Sequence, residues 1–459
     1  MRFWITFMIW GMMMTVTGAE VENANVNPSA LGIKETKMSD WYANNTLARE
    51  LCQLTEQEYR LLRQSDVLSV RPVVLPTKDL VVTANDYFMY PVTTRIDDTM
   101  VMIYDRCPCH WGNDKKLTDE HSGIRMIVTS SDGGATWTKP IDLLQAGKWK
   151  NSPFYGYGAA LGVTNGVVYA FLQEGLYCSE DKGKTWRLTE KEPDFSALSD
   201  KPWTPGSRLT FDREHGLIAW TTCGYSEVQK ERMEKQLYGT HLMAVYSPDY
   251  GKTWKSEKQP LPDDIRLSEI SCIPFEGQLA FFLRNKVYNT RFAQGYSKTS
   301  WFPVDIRLSE IGPVKVVDTP DINYNPVTKR IEVAAPFRCG SYPKPSNNLK
   351  ANLFSLSPDE FAAGKTEWRF DGTLMQYKNP WGKSDGFNLT CSVIDTARQQ
   401  KIFHVWAGDV GGRAGIFQYA VSLDTEAVRT YLLDARGDGQ HETKQAPAPI
   451  VPTEKIPGK

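Results

Sequence analysis

Three short stretches of this chain have nearly the same eight residues. They read SSDGGATW from Ser130, SEDKGKTW from Ser179 and SPDYGKTW from Ser247, so all three fit Ser-x-Asp-x-Gly-x-Thr-Trp. Their aspartates are 49 and 68 residues apart, at positions 132, 181 and 249. Each stretch follows a run of alternating apolar residues. Three matches in register indicate a repeated architecture, in which each repeat is one small supersecondary unit.

The residue types of this motif favour a tight turn between two strands. Serine and aspartate side chains bond to nearby backbone N–H groups, and glycine supplies the positive φ that such turns require. Thr-Trp then begins the next strand, and we expect the indole to cover the side of its own hairpin. We therefore predict that Asp132, Asp181 and Asp249 stabilise turns and take no part in catalysis.

Strand-turn-strand units recur six times between residues 67 and 443. Each has an apolar strand, a polar turn and a second apolar strand. The units run over residues 87–144, 155–189, 206–260, 267–308, 313–374 and 385–433, and a decayed copy of the eight-residue motif lies at 357–368. Residues 67–83 belong to no unit, so we expect them to supply the outer strand that closes a ring.

The motif resembles the Asp-box repeat of sialidases and related β-propellers, over most of the chain after about residue 65. The resemblance implies an all-β fold, a six-bladed β-propeller with a short N-terminal helix. A seven-bladed ring, built from both termini, is the alternative. In such rings the motif turns lie at one rim, and the ligand site lies in the central pocket where the inner strands converge.

The two ends of the chain differ in composition from the predicted propeller at 67–443. Residues 1–19 have a basic start, an apolar run and small residues at the end, which is typical of a secretory signal peptide. The apolar run is shorter than the roughly 20 residues that span a bilayer, so we expect a secreted or periplasmic protein. Residues 20–66 are predicted to contain one helix, and the proline-rich residues 444–459 to form a disordered tail.

Charge and cysteine content exclude several functions. The net charge is −1 with dispersed lysine and arginine, which argues against a nucleic-acid partner. The eight cysteines are spread along the chain, and we expect Cys223, Cys272 and Cys391 to be small buried hydrophobes. The run from Cys107 to His110 (CPCH) crowds its ligands too closely for a usual zinc site. We expect no cofactor, while the oligomeric state stays open.

The likeness to sialidases extends to individual site residues. Glu269 and Arg284 in the fourth unit, and Arg338 in the fifth, resemble the glutamate and two of the three arginines that bind the sugar carboxylate in the family. Two convergent guanidinium groups can bind a carboxylate or sulfate in bidentate fashion. Two positions depart from the family pattern. Met89 replaces the first arginine, and Phe387 replaces the tyrosine nucleophile.

The remaining candidates lie in a long loop and on aromatic residues. Residues 105–123 correspond to the loop that carries the acid/base aspartate of the family. Histidines in this loop titrate near neutral pH and suit proton transfer. Tyr90, Tyr157 or Tyr324 are alternatives for the missing nucleophile. The predicted catalytic residues are Glu269, His121, Asp119, His110 and Tyr90, and the predicted substrate-binding residues are Arg284, Arg338, Arg106, Tyr157 and Arg208.

These residues predict an exported glycoside hydrolase that acts on a terminal or acidic sugar of a glycan or polysaccharide. A retaining mechanism needs two catalytic groups about 5 Å apart, whereas an inverting one needs no tyrosine and could use Glu269 or His121 as base. A propeller polysaccharide lyase is an alternative, because arginines that neutralise a uronate beside histidine and tyrosine suit β-elimination. The losses at Met89 and Phe387 leave a third possibility, a propeller that binds glycans without catalysis.

Overall fold

The structure is a computed structural model, and the descriptions below concern only the following parts of it. They are residues 67–74, 87–107, 124–144, 159–172, 175–189, 206–223, 241–260, 267–275, 278–285, 291–297, 300–305, 320–339, 348–365, 367–378, 387–410 and 413–436. The predicted signal peptide, the N-terminal helix and the proline-rich tail lie outside these described residues.

The strands of the described residues form groups of four, which follow one another along the chain after a first strand, β1 (Leu68–Val74). Blade 1 contains β2 (Tyr87–Ile96), β3 (Thr99–Cys107), β4 (Ile124–Ser130) and β5 (Ile141–Leu144). Blade 2 contains β6 (Ala160–Thr164), β7 (Val167–Leu172), β8 (Gly175–Ser179) and β9 (Arg187–Leu188). Blade 3 contains β10 (Leu209–Asp212), β11 (Gly216–Cys223), β12 (His241–Ser247) and β13 (Lys255–Pro260).

The second half of the chain repeats this arrangement. Blade 4 contains β14 (Leu267–Phe275), β15 (Gln278–Asn285), β16 (Arg291–Ser297) and β17 (Ser300–Asp305). Blade 5 contains β18 (Asp321–Asn325), β19 (Arg330–Cys339), β20 (Asn348–Leu356) and β21 (Arg369–Lys378). Blade 6 contains β22 (Phe387–Asp395), β23 (Gln400–Val410) and β24 (Arg413–Ser422), with β1 as its fourth strand.

Strand pairing closes these six blades into a ring. Blades 1 and 6 share one sheet, but a single parallel pair, Tyr87 with Ala414, joins them. Neighbouring blades contact each other around the ring, mostly through their first strands. These contacts join β2 with β6, β6 with β10, β14 with β18, β18 with β22, and β22 with β2. Between blades 3 and 4 the contact joins β11 with β14. The described strands are therefore a six-bladed β-propeller, as the sequence predicts, and the seven-bladed alternative is wrong for them.

The ring is closed by the strand that the sequence assigned to this task. β1 runs antiparallel to β24, in a register from Leu68 opposite Val421 to Val74 opposite Ile416. Blade 6 thus combines three strands from the end of the propeller with one from its beginning. Because this pairing spans nearly the whole chain, it ties the two ends of the ring together.

The three repeated motifs form the same turn with the same hydrogen bonds. In the second motif the Ser179 hydroxyl donates to Asp181 Oδ1 at 2.8 Å, and the backbone N–H and hydroxyl of Thr185 donate to the two oxygens of Asp181 at 2.8 and 2.6 Å. Desolvation raises the pKa of Asp181, but the bonds from Thr185 and Ser179 outweigh it and lower that pKa to about 2. Asp132 and Asp249 accept equivalent bonds. All three carboxylates stabilise their turns, as predicted.

Two of the three motif tryptophans pack differently from the prediction. Trp137 contacts His404 of blade 6 edge-on, with 5.2 Å between the ring centroids, and Trp254 stacks on Phe171 of blade 2 at 5.1 Å. These two indoles therefore fill the space toward the preceding blade and do not cover their own hairpins, whereas Trp186 Nε1 donates to the Gly183 carbonyl of its own turn at 3.0 Å. The reason is that flat sheets arranged radially leave a wedge between them, and large aromatic rings fill that wedge.

Two helices complete the described structure. α1 (Pro358–Ala362) replaces the turn of the decayed motif; Ser357 caps it, and Glu360 returns a bond to the backbone N–H of Ser357 at 2.9 Å. α2 (Thr425–Arg436) follows blade 6, where the sequence predicted only strands. It begins beside Asp424, which accepts bonds from two backbone N–H groups. Neither helix has the length and apolar character needed to cross a membrane.

Most described blade interfaces are apolar, and the junction between blades 5 and 6 is a polar exception. Apolar clusters lie between blades 1 and 2, 2 and 3, 3 and 4, 4 and 5, and 6 and 1. Between blades 5 and 6 Lys401 forms a buried ion pair with Glu332, and the Thr425 hydroxyl of α2 also donates to Glu332. Nearby, desolvation raises the pKa of Asp371 to about 6 although Arg369 lies 2.7 Å away.

A buried histidine lies at the seam between blades 6 and 1. His404 Nδ1 is 2.8 Å from the Thr93 hydroxyl of β2, and Nε2 is 3.2 Å from Gln418 Oε1. Gln418 in turn donates to the Gly133 carbonyl of the first motif at 2.9 Å. Desolvation lowers the pKa of His404 to about 4, and the bond to Gln418 offsets this only in part. The seam therefore requires a neutral imidazole.

Acidification is expected to weaken this seam. Between the folded pKa of about 4 and the unfolded value of 6.5, the unfolded chain binds more protons, so the stability is complete above pH 6.5 and declines as the pH falls toward 4. The full contribution is about 3 kcal/mol. Urea unfolding of the wild type and His404→Gln from pH 7 to pH 4 measures it. The variant should lose less stability than the wild type, and parallel curves would contradict the prediction.

Candidate active site

Sequence candidates from several blades lie at one edge of the ring. Antiparallel pairing puts the start of each first strand beside the end of the second strand, and we call this edge the site face. In blade 1 Phe88 lies opposite Arg106, and in blade 4 Leu267 lies opposite Asn285. Arg106, Arg284 and Arg338 are each the last residue but one of a second strand. The fold therefore brings these arginines to the site face from blades 1, 4 and 5.

Three first strands carry a β-bulge near the site face. The pairing skips from Met89 to Val92 in blade 1, from Leu267 to Ile270 in blade 4 and from Leu389 to Ser392 in blade 6. In each case two residues lie opposite one residue of the second strand. Bulges of this kind are common next to active sites, because they redirect side chains locally.

The bulge of blade 4 joins two of the predicted site residues. Ser268 and Glu269 are the two residues of the bulge, and Arg284 is the single residue that lies opposite them on β15. Glu269 and Arg284 are only fifteen residues apart and belong to one hairpin. Glu269 and Arg284 are thus cross-strand neighbours in backbone register, where the ladder is interrupted. This pairing is the most specific feature of the candidate site.

The bulge of blade 1 contains Tyr90 in an unusual backbone conformation. Its φ is +52°, in the left-handed region that bulky residues rarely occupy, and Pro91 follows it. The half-buried ring packs on Trp406 of blade 6, with 5.6 Å between centroids. Met89 beside it is fully buried in an apolar cluster. The position that the sequence resemblance matches to the first arginine of the family is therefore part of the core, and Tyr90 holds strain of the kind that collects at functional sites.

Arg208 lies close to the axis of the ring, where it binds protein groups from three other blades. Its guanidinium lies 2.7 Å from Asp321 Oδ1 and donates to the Ser271 hydroxyl at 3.2 Å. It also donates to the carbonyls of Ile322 at 2.8 Å and Ser392 at 2.9 Å. The structure thus gives Arg208 a cross-linking role that its sequence pattern did not reveal. Its predicted contact with substrate stays a prediction.

Asp105 and Arg106 belong to β3, although the sequence assigned both to a loop. Asp105 is fully buried in an ion pair with Arg125 of β4. The guanidinium of Arg106 lies over the Phe88 ring at 6.0 Å and is half-buried. The loop therefore begins later than predicted, because β3 continues through Cys107 and so covers the first three residues of the predicted loop.

Four candidates cannot be placed. His110, Asp119, His121 and Tyr157 lie outside the described residues, and so does most of the predicted acid/base loop. Glu269, Arg284 and Arg338 are located by strand register. Cys272 is buried, as predicted, and so is Cys178. Among the described residues no group of three or more histidine, cysteine, aspartate or glutamate side chains could bind a metal ion.

Sequence reasoning missed the carboxylate at the centre of the ring. Asp321 is 1% exposed and lies at the first position of β18, where it meets groups from blades 3, 4 and 6. The available signal was an acidic residue at the start of an inner strand, in the run TPDINYN. Such an aspartate usually caps a turn, so its partners became visible only when the blades were assembled.

The fold defines the class of this protein as a six-bladed β-propeller of mostly antiparallel sheets. No protein-family model and no curated protein matches the chain. Solved structures include a Dyadobacter fermentans protein of unknown function, 17% identical over 77% of this chain and 99% of that one, with a TM-score of 0.48.

Sialidases are also among these structures. The Trypanosoma rangeli sialidase is 10% identical over 78% of this chain, with a TM-score of 0.48. A mutant of the Streptococcus pneumoniae NanB sialidase is 11% identical over 81% of this chain and 73% of that one, with a TM-score of 0.47. This chain covers 58% of the length of the T. rangeli enzyme. The strand pairing described above, independently of these similarities, establishes the propeller.

Proposed function

We propose that this propeller is a sialidase-like glycoside hydrolase, which binds and cleaves an acidic or terminal sugar at the site face. The observation that carries the proposal is the blade 4 bulge, where Glu269 lies on the strand opposite Arg284. Arg106 and Arg338 reach the same edge from blades 1 and 5. A carboxylate that can transfer protons, with arginines that can bind an anion, is the combination such a reaction requires.

The departures from the family favour a water-dependent mechanism. Met89 is buried among apolar side chains, so at most two family-type arginines, Arg284 and Arg338, would bind the sugar carboxylate. Phe387 has no hydroxyl and cannot attack an anomeric carbon. In an inverting reaction a carboxylate activates water instead, and Glu269 is the group we propose for that proton transfer. Tyr90, strained and half-buried, is the remaining candidate for a retaining route.

The export of the protein is part of the proposal. The signal-peptide pattern of residues 1–19 supports secretion or transfer to a periplasm, where polysaccharides and glycoconjugates are available. A test is the position of the mature N-terminus, which should follow Ala19 when the full chain is expressed in a secreting host. An N-terminus at Met1 in the purified protein would contradict export.

Three glycans distinguish the proposed reaction from its alternatives. The purified protein is incubated with 3′-sialyllactose, chondroitin sulfate and polygalacturonate. Release of a monosaccharide with a new reducing end supports hydrolysis. A product with a new carbon–carbon double bond, detected by its ultraviolet absorbance, would identify a lyase instead. Saturable binding without product would identify a glycan-binding propeller, and the changes at Met89 and Phe387 would then account for the lost catalysis.

A further inference from the structure

A polar network at the axis of the ring connects two of the three bulged strands. We call the side chains of Arg208, Ser271, Asp321 and Ser392 the axial network. They come from blades 3, 4, 5 and 6, and Ser271, Asp321 and Ser392 are buried, with at most 4% of their surface exposed. A network that joins four blades restricts how their first strands lie relative to one another.

Asp321 is the common acceptor of this network. Its Oδ2 accepts the backbone N–H of Ser392 at 2.9 Å and also the Ser392 hydroxyl. Its Oδ1 accepts the Ser271 hydroxyl at 3.3 Å and lies 2.7 Å from Arg208 Nη1. The Ser271 hydroxyl in turn accepts the backbone N–H of Ile322 at 3.1 Å. One carboxylate thus holds blade 4 with one oxygen and blade 6 with the other.

The two serines occupy special positions in their strands. Ser271 follows the Ser268–Glu269 bulge by two residues, and Ser392 is the first residue after the Thr390–Cys391 bulge. A bulge interrupts the ladder, so the strand beyond it is held less firmly by its own sheet. Bonds from a neighbouring blade just past the interruption compensate for this loss. Asp321 therefore holds the first strand of blade 4 two residues beyond Glu269.

We propose that Asp321 is a positioning residue, which sets the location of the blade 4 bulge and hence of Glu269 without touching the substrate. This inference rests on the proposed function for its catalytic consequence. The bonds by which Asp321 holds blades 4 and 6, which we call the clamp, concern only the protein itself. Arg208 neutralises the buried carboxylate and is the second member of the clamp. A misplacement of about 1 Å in a catalytic group can reduce turnover by about a hundredfold.

Asp321→Asn tests the proposal, because an amide keeps the size of the side chain but replaces one acceptor oxygen by an NH₂ group. The matched control is Asp371→Asn. Asp371 is also a buried aspartate of blade 5, 2% exposed and 2.7 Å from an arginine, but it lies on the outer strand β21. Kinetics are measured on whichever of 3′-sialyllactose, chondroitin sulfate and polygalacturonate the wild type cleaves fastest.

The clamp has a kinetic and a dynamic signature. In Asp321→Asn we expect kcat to fall at least about tenfold with KM within about threefold, and the acidic limb of the pH–rate profile to move. Amide hydrogen exchange should accelerate in residues 267–275 and 387–395. Asp371→Asn should show neither change. Wild-type kinetics and exchange in Asp321→Asn, or equal changes in Asp371→Asn, would overturn the proposal.

Two further outcomes separate this inference from the proposed function. If Asp321→Asn does not fold, Ser392→Ala removes only one hydroxyl and should give smaller changes in the same direction, while wild-type behaviour of that variant refutes the clamp. If the wild type cleaves none of the three glycans, the proposed function fails. Amide hydrogen exchange alone then decides whether the clamp exists. Faster exchange in residues 267–275 of Asp321→Asn then supports the clamp, and unchanged exchange overturns it.

Discussion

Replacement of Glu269 by glutamine should reduce turnover of an acidic glycan by about 10² to 10⁴-fold, the range attributed to a general acid or base. Glutamine keeps the size of the side chain but neither gains nor gives a proton near neutral pH. KM should change little, because the groups that bind the sugar carboxylate in this proposal are Arg284 and Arg338. The measurement is kcat and KM for whichever of the three test glycans the wild type cleaves.

The control for this variant is Glu257→Gln. Glu257 lies on the outer strand of blade 3, with its side chain 42% exposed, and is remote in the fold from the blade 4 bulge. It should leave kcat and KM within about twofold, as surface substitutions generally do. Unchanged turnover in Glu269→Gln would remove Glu269 from the mechanism. Equal losses in both variants would show that the loss has no connection with the site.

Alanine at Gly216 should destabilise the protein far more than alanine at Gly166. Both glycines lie at hairpins between the first and second strands of their blades, with φ of +69° and +76°. A side chain at either position costs about 1–2 kcal/mol from this conformation alone. At Gly216 a Cβ atom would also lie 2.5 Å from the Ser247 carbonyl oxygen and 2.7 Å from Pro248 Cα, whereas nothing lies within 4 Å at Gly166.

The overlap at Gly216 is with backbone, so a rotamer change cannot relieve it. We expect it to add about 1–3 kcal/mol, the usual cost of overpacking, to the conformational cost. Urea unfolding of Gly216→Ala and Gly166→Ala at pH 7 measures the difference directly. Equal midpoints for the two variants would contradict the close approach between the blade 3 hairpin and the third motif turn.

Local patterns were sufficient for most of the fold. The three Ser-x-Asp-x-Gly-x-Thr-Trp stretches marked turns, and the alternating runs marked inner strands, because turn chemistry and strand period are properties of a few adjacent residues. The unpaired run after residue 67 identified the closing strand β1. By contrast, α2 was missed, since the apolar residues that bury it, such as Val428 and Leu432, also suit a strand.

The candidate site was predictable only where the residues lie in one hairpin or carry a family pattern. Glu269 and Arg284 are ends of the same hairpin, so their proximity follows from the turn between them. Tyr90 was named as a candidate, but its positive φ and its packing on Trp406 depend on blade 6 meeting blade 1. Arg208 was assigned to substrate, and only its partners in three other blades revealed a cross-link.

The sequence by itself determined the repeat, the blades, the closing strand and the turn role of Asp132, Asp181 and Asp249, because each depends on neighbours in the chain. Tertiary structure alone decided which polar groups meet at the axis. Asp321 and Ser392 are 71 residues apart, and Thr93 and His404 are 311 apart. A buried carboxylate or imidazole is tolerated only where such distant partners satisfy it, and no local pattern specifies those partners.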